Sequence, residues 1–132
     1  MTRSMIRRMS APSFSCSVST QFLPEQTDPV QGLYAFAYTI VISNTGSVPG
    51  QLIGRHWIIT DAAGHTEEVR GLGVVGHQPM LKPGEQFEYT SWTRLATPHG
   101  RMRGTFFCMT EDAHSFEAPI PVFELAQARA LH

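Results

Sequence analysis

The sequence predicts an all-β protein, folded as a single antiparallel β-sandwich of about seven strands, of the fibronectin-III or immunoglobulin type. Short segments alternate apolar and polar residues with the period of two that strands require. Turn-forming residues separate these segments at short intervals, and no long amphipathic helix pattern interrupts them. The chain has 132 residues, of which 42% are hydrophobic, so one domain with a real core is expected without metal or disulfide support.

Seven segments carry the strand pattern. In chain order they are residues 14–20, 33–43, 52–60, 65–70, 87–93, 102–110 and 115–125. We expect residues 13–126 to form the sandwich. Residues 1–12, which contain Arg3, Arg7 and Arg8, are expected to be a flexible basic arm, and residues 127–132 a short tail.

The composition of each segment indicates its place in the sheets. Residues 33–43 are apolar on both faces, which predicts a central strand covered on both sides. Residues 65–70 are polar and are therefore placed near an edge. Pro119 and Pro121 cannot donate to a ladder, so the last strand should be paired on one side only. Five large side chains are expected in or near the core: Phe36, Ile40, Trp57, Tyr89 and Phe106.

Two connections have clear turn chemistry. The tetrapeptide at residues 61–64 ends in Gly64, which can adopt a positive φ, and predicts a tight hairpin. Pro83 and Gly84 predict a second turn before residues 87–93.

Charge and hydropathy exclude several classes of function. The net charge is −1, so no broad basic field is available for nucleic acid. No apolar run is long enough to span a bilayer, and the basic N-terminus lacks the apolar segment of a signal peptide. We therefore expect a cytoplasmic protein without a membrane or nucleic-acid partner. Cys16 and Cys108 are then expected to be reduced and packed as small core residues, although the sequence leaves a disulfide between them open.

Residues 71–76 match the G-x-G-x-x-G spacing of dinucleotide-binding loops through Gly71, Gly73 and Gly76. That motif needs a buried parallel strand before it and a helix after it, whose N-terminus holds the pyrophosphate. Here a polar segment precedes the motif, and Pro79 and Pro83 follow it, so no helix can begin there.

Three interpretations of the motif remain open. It is a connection between the sheets with its valines tucked in, an anion-binding nest of backbone N–H groups, or a loop that docks a protein partner. The candidate ligand-binding residues are Gly71, Gly73, Val74, Val75, Gly76 and His77. Arg70 and Lys82 are the nearby cations in the chain, and Arg55 and Arg94 could approach in three dimensions.

No catalytic or metal-binding pattern stands out among the six histidines. Asp61 with His65, and Asp112 with His114, could bind a divalent ion weakly, but no convergent ligand set is present. There is no G-x-S-x-G elbow, and Glu67 and Glu68 point to opposite faces of one strand. We therefore expect no cofactor, no metal site and no catalytic residues.

A series of motifs identifies a family resemblance. The segments RHWIITDAAG, GLGVVGHQPMLKPGEQFEYTS, TPHGRMRGTF and IPVFEL follow one another across residues 55–125 and resemble the ApaG (CorD) family. The resemblance covers roughly residues 12–126. One position departs from it, because Trp92 stands where the family usually has glycine.

The resemblance implies a fibronectin-III-like sandwich and, for bacterial members, a link to cobalt and magnesium tolerance. Related domains in eukaryotic F-box proteins and in a polymerase-associated protein look like interaction modules. No catalytic residue of the family is established, so none is carried over.

Two functions from different classes follow. The first is a non-catalytic binding module of the bacterial cytoplasm that acts on an unknown protein partner. The alternative is a small-ligand protein that binds a pyrophosphate-containing nucleotide or a divalent metal near the glycine motif. Any homodimer is expected to form through an edge strand or the tyrosine-rich surface and not through the glycine motif.

Overall fold

The computed structural model describes residues 11–127 and contains eight β-strands and two single 3-10 turns. In chain order the strands are β1 (Phe14–Phe22), β2 (Tyr34–Asn44), β3 (Gly50–Asp61), β4 (Thr66–Leu72), β5 (Met80–Leu81), β6 (Gln86–Leu95), β7 (His99–Thr110) and β8 (Ser115–Ala126). Most of the predicted arm and tail, residues 1–10 and 128–132, lies outside the described residues. Within the described part, no helix has the length and apolarity needed to cross a membrane.

The strands form two antiparallel sheets packed face to face. The first sheet has the order β1-β2-β6, and the second has the order β4-β3-β7-β8, with the two-residue strand β5 pairing beside β3. The sandwich predicted from the sequence is therefore confirmed. The finer assignment to a fibronectin-III or immunoglobulin type remains a prediction.

The core lies between the sheets and is rich in aromatic rings. All five side chains predicted for it are buried, each at most 6% exposed: Phe36, Ile40, Trp57, Tyr89 and Phe106. The Trp57 ring packs on Tyr38 of the opposite sheet, with centroids 5.4 Å apart, in an edge-to-face arrangement that aromatic pairs favour. Cys108 is a buried core residue, Cys16 is partly buried, and both thiols are free.

The structure corrects the sequence prediction at two places. β5 was not predicted, because a two-residue strand is too short to show a period. β2 is the central strand of its sheet, as predicted, but only its inner face is covered by the other sheet. Ala37 and Val41, on its outer face, are only partly buried. The connection between β1 and β2 contains the 3-10 turns Pro24–Gln26 and Pro29–Gln31.

The four sheet edges are not equivalent. β1 packs against β8 on one side of the sandwich, where the rings of Phe14 and Phe116 meet at 5.2 Å. β4 and β6 end the two sheets on the opposite side, called the open side below. The edge position predicted for the polar segment at β4 is confirmed. The last strand pairs only with β7, as its prolines predicted.

Candidate functional site

The glycine motif folds as the end of β4 followed by a tight turn; residues 71–80 are called the glycine hairpin. Gly71 lies within β4, whereas Val74 and His77 form an isolated antiparallel bridge. The N–H of Val74 donates to the carbonyl of His77 at 2.8 Å, and the N–H of His77 donates back at 2.9 Å. Only Val75 and Gly76 lie between them, so all six candidate residues share one compact hairpin.

Backbone geometry explains the second and third glycines. Gly73 and Gly76 have φ values of 68° and 85°, in the left-handed region that glycine tolerates. At Gly73 a β-carbon would also lie 2.6 Å from the carbonyl oxygen of His77. The glycines therefore serve the turn. No helix follows the motif as far as residue 127, so the arrangement that holds a pyrophosphate in dinucleotide-binding folds is not built here.

Val75 also has a positive φ, although it is not a glycine. Its φ of 42° is also left-handed, and together with Gly76 it completes a two-residue turn with positive φ at both positions. Turns of this kind favour Asn-Gly or Asp-Gly. A β-branched residue in that region is a true outlier, so Val75 is strained.

Val74 and Val75 differ in burial, which corrects the interpretation that both are packed into the core. Val74 is 1% exposed and belongs to the core, whereas Val75 is 52% exposed. Leu72 and Met80 are also exposed and flank the turn. The ring of His77 lies 5.5 Å from that of Phe87 on β6. The hairpin therefore carries three exposed apolar side chains, those of Leu72, Val75 and Met80, which are called the apolar tip below.

Strand β3 holds the base of the hairpin. The Nη1 atom of Arg55 donates to the carbonyls of Leu72 and Gly73 at 3.0 and 2.9 Å. Gln78 donates through Nε2 to the carbonyl of Ile53 at 2.8 Å and accepts through its own carbonyl from Gln51. These hydrogen bonds fix the base of the hairpin, and with it the apolar tip, against β3. Arg94, which with Arg55 was considered as a cation that could approach in three dimensions, lies over the ring of Trp92 on β6 instead.

The backbone N–H groups of the hairpin are largely used within the fold. Gly73 donates to Ile53, and Val74 and His77 bond each other. An anion nest needs successive N–H groups that are free and convergent. Among the six candidate residues, only Val75 and Gly76, at the exposed turn, have no such backbone bond. The hairpin is consequently better organised to present side chains than to cradle an anion.

The polar pairs predicted at the turns are present. Their side chains are exposed to solvent except that of Asp61, which is 9% exposed. His65 Nδ1 lies 3.5 Å from Asp61 Oδ2, and His114 Nδ1 lies 3.2 Å from Asp112 Oδ2. A hydrogen bond from the Thr110 hydroxyl lowers the pKa of Asp112 below its usual value. No group of three or more His, Cys, Asp or Glu side chains suited to a metal ion occurs between residues 11 and 127. Each of these pairs therefore offers at most two ligands.

The thiols are poorly suited to nucleophilic chemistry. Burial raises the pKa of Cys108 to about 12 and that of Cys16 to about 11. Reactive cysteines instead have lowered pKa values in electropositive, accessible settings. Both thiols are therefore protonated at neutral pH, Cys108 within the core and Cys16 packed against it.

Sequence and structure comparisons place the chain among known proteins. The model of the ApaG domain family matches residues 24–110. Protein ApaG of Ralstonia nicotianae is 62% identical over 124 residues, covering 94% of this chain and all of that protein. Protein ApaG of an Acidovorax strain is 60% identical over 108 residues, covering 82% of this chain and 79% of its own.

A solved structure agrees with the fold. The crystal structure of an ApaA protein from Bordetella pertussis is 55% identical and superimposes with a TM-score of 0.87, covering 92% of this chain and 98% of that one. The similarity thus extends through both sheets.

Proposed function

The chain belongs to the ApaG family, and from this premise we propose that it is a non-catalytic interaction module of the bacterial cytoplasm. Its glycine hairpin docks on a protein partner through Leu72, Val75 and Met80. The link to cobalt and magnesium tolerance implied by the family resemblance would then run through that partner and would not require metal binding by this chain.

The observation that carries the proposal is the conformation of Val75. A β-branched residue at φ 42° costs about 1–3 kcal/mol, and asparagine would relieve much of that cost. Val75 is also half-exposed, so packing of its side chain in the core does not offset this conformational cost. Strained, solvent-facing apolar residues occur where the side chain serves binding rather than folding.

The hairpin is also built to bind with little loss of entropy. Arg55, Gln51 and Gln78 tie its base to β3, and Val74 anchors it in the core. A preorganised tip loses less conformational freedom on docking than a free loop does. Three exposed apolar side chains framed by polar His77 and Gln78 match the apolar centre and polar rim of protein interfaces.

The alternative, a pyrophosphate-containing nucleotide or a divalent metal as ligand, has weaker support. Several hairpin N–H groups already bond to backbone carbonyls, and Arg55 directs Nη1 at two carbonyl oxygens. A polyphosphate site would use these same donors.

The substitution Val75→Asn tests the proposed docking without destabilising the fold. Val75→Asn should remove the apolar contact and stabilise the turn, raising the free energy of unfolding by about 1 kcal/mol. Val122→Asn is the matched control, because Val122 is equally exposed on β8, away from the hairpin. Quantitative co-purification from native cytoplasm should show a partner retained by the wild type and the control but depleted at least about tenfold for Val75→Asn.

Two results would count against this function. The first is an unchanged set of partners for Val75→Asn. The second is micromolar binding of ATP, NAD or a diadenosine polyphosphate in calorimetry, abolished by Gly73→Ala with the fold retained, which would favour the alternative.

A further inference from the structure

We propose that a second copy of this chain docks along the open side of the sandwich. β4 pairs antiparallel with β4 of the second copy, and β6 pairs antiparallel with its β6, around one two-fold axis through Val69 and Ser91. Both sheets then continue from one copy into the other. This interface uses the backbone edges of β4 and β6, and it shares the last residues of β4, Gly71 and Leu72, with the glycine hairpin.

The backbone of β4 is free to pair along its outer edge. The N–H of Asp61 donates to His65, and the N–H of Gly73 donates to Ile53, which fixes the alternation between β3 and β4. Odd-numbered residues of β4 therefore bond β3, and even-numbered residues direct N–H and C=O outward. Arg55 uses the carbonyl of Leu72, but a carbonyl oxygen accepts two hydrogen bonds, so pairing there is not blocked.

The backbone of β6 is also free to pair along its outer edge. The N–H of Leu23 donates to Ala35 across β1 and β2, and the N–H of Asn44 donates to Glu85 across β2 and β6. Odd-numbered residues of β6 consequently face β2, whereas Glu88, Thr90, Trp92 and Arg94 direct their backbone groups outward.

Charge selects one register for β4. A two-fold axis at Val69 places Glu68 opposite Arg70 of the second copy, and Arg70 opposite its Glu68. An axis at Glu68 or at Arg70 would instead place like charges directly opposite, which is destabilising. Charged side chains at a sheet edge oppose unselective pairing. Of the three registers compared, only the one with its axis at Val69 places opposite charges across from each other.

Charge and burial select an equivalent register for β6. An axis at Ser91 places Glu88 opposite Arg94 of the second copy. It also places Thr90 opposite Trp92, whose side chain is 54% exposed in the single chain. Pairing would cover part of this large apolar surface.

One two-fold axis can serve both strands only if Val69 and Ser91 lie at the same level of the two sheets. Val69 is the partner of Trp57 on β3, and Ser91 is the partner of Tyr38 on β2. Trp57 and Tyr38 are in ring contact across the core, with centroids 5.4 Å apart. Val69 and Ser91 therefore lie at the same level of the two sheets, where one axis serves both.

The other edges are less suited to a second copy. β8 lacks backbone N–H donors at Pro119 and Pro121, which hinders pairing along its edge. β1 packs against β8, so its edge is covered. The open side is the pair of edges left without either protection.

Sedimentation of the full chain tests the charge register. The 14.7 kDa chain should show a concentration-dependent rise toward twice that mass. Arg70→Glu should raise the dimer dissociation constant at least about tenfold, because it creates two repulsive pairs. The swapped variant Glu68→Arg/Arg70→Glu should restore association. Arg101→Glu, on β7 two strands from the β4 edge, is the control and should not differ from the wild type.

Cysteine cross-linking tests the axis, because only residues on it meet themselves. Val69 and Ser91 would form non-hydrogen-bonded pairs with Cα atoms about 4.5 Å apart, within disulfide reach. Val69→Cys and Ser91→Cys should each give an oxidised dimer. Glu67→Cys and Thr93→Cys, which lie two residues away on the same strand faces, should not give an oxidised dimer. The wild type, which contains only Cys16 and Cys108, shows how much cross-linking the native thiols produce.

The proposal is overturned by a wild type that stays monomeric up to about 1 mM. It is also overturned by Arg70→Glu associating as strongly as the wild type, or by either axis cysteine cross-linking no better than its control.

Discussion

The guanidinium group of Arg55 lies across the backbone of Gly71, where β4 carries no side chain. A β-carbon at Gly71 would lie 2.7 Å from Nη1 and 2.9 Å from Cζ of Arg55. From this position Nη1 reaches the carbonyls of Leu72 and Gly73. The first glycine of the motif thus makes room for the arginine that braces the hairpin.

Gly71→Ala should therefore displace Arg55 and break both hydrogen bonds. Because bonds from a charged donor are involved, we expect the free energy of unfolding to fall by about 1–3 kcal/mol in urea denaturation. In an Arg55→Met background, which lacks the guanidinium, the same change should cost less than about 0.5 kcal/mol. Equal costs in the two backgrounds would contradict the brace.

Tyr89 offers a test of a buried polar group. Its side chain is 6% exposed, and its hydroxyl has no hydrogen-bond partner among the residues that the structure describes. Tyr89→Phe should change the free energy of unfolding by less than about 1 kcal/mol, and in the stabilising direction, since no bond is lost. Tyr89→Ala should cost about 3–5 kcal/mol, because the ring packs in the core beside Phe106. A large cost for Tyr89→Phe would reveal a partner such as a buried water.

The two thiols predict a loss of stability in alkali. Burial raises the pKa of Cys108 from 9.0 to about 12 and that of Cys16 from 9.0 to about 11. Unfolded thiols ionise near pH 9 while the folded ones stay protonated, so rising pH favours the unfolded state. Their contribution is complete below pH 9 and declines as the pH rises through the folded pKa values.

Urea denaturation at pH 8 and pH 10.5 measures this decline. Cys16→Ser removes one titrating thiol and should make the loss of stability between the two pH values smaller than in the wild type. Ser17→Ala, at the neighbouring exposed position on β1, should leave the pH dependence unchanged. An identical pH dependence for Cys16→Ser and the wild type would contradict the assignment to this thiol.

Much of the fold follows from local pattern. Period-two alternation predicted the strands and the burial of Phe36, Trp57 and Phe106, since a strand must bury one face whatever its partners are. Prolines placed β8 at an edge because they lack a donor. The prolines after the glycine motif excluded a helix there, and the structure has a turn instead.

The candidate site depended on the tertiary structure. Val74 and Val75 are adjacent and identical in chemistry, so no local pattern can separate them. One enters the core and the other faces solvent because the turn directs them differently. The contact between Arg55 and Gly71 joins residues on different strands, and the alignment of Val69 with Ser91 depends on how the sheets stack. By itself, the sequence determined the seven longer strands, the edges of the second sheet and the absence of a helix after the glycine motif, because these depend on neighbouring residues. Only the tertiary structure decided the brace, the exposed tip and the open side, because they depend on contacts between distant segments.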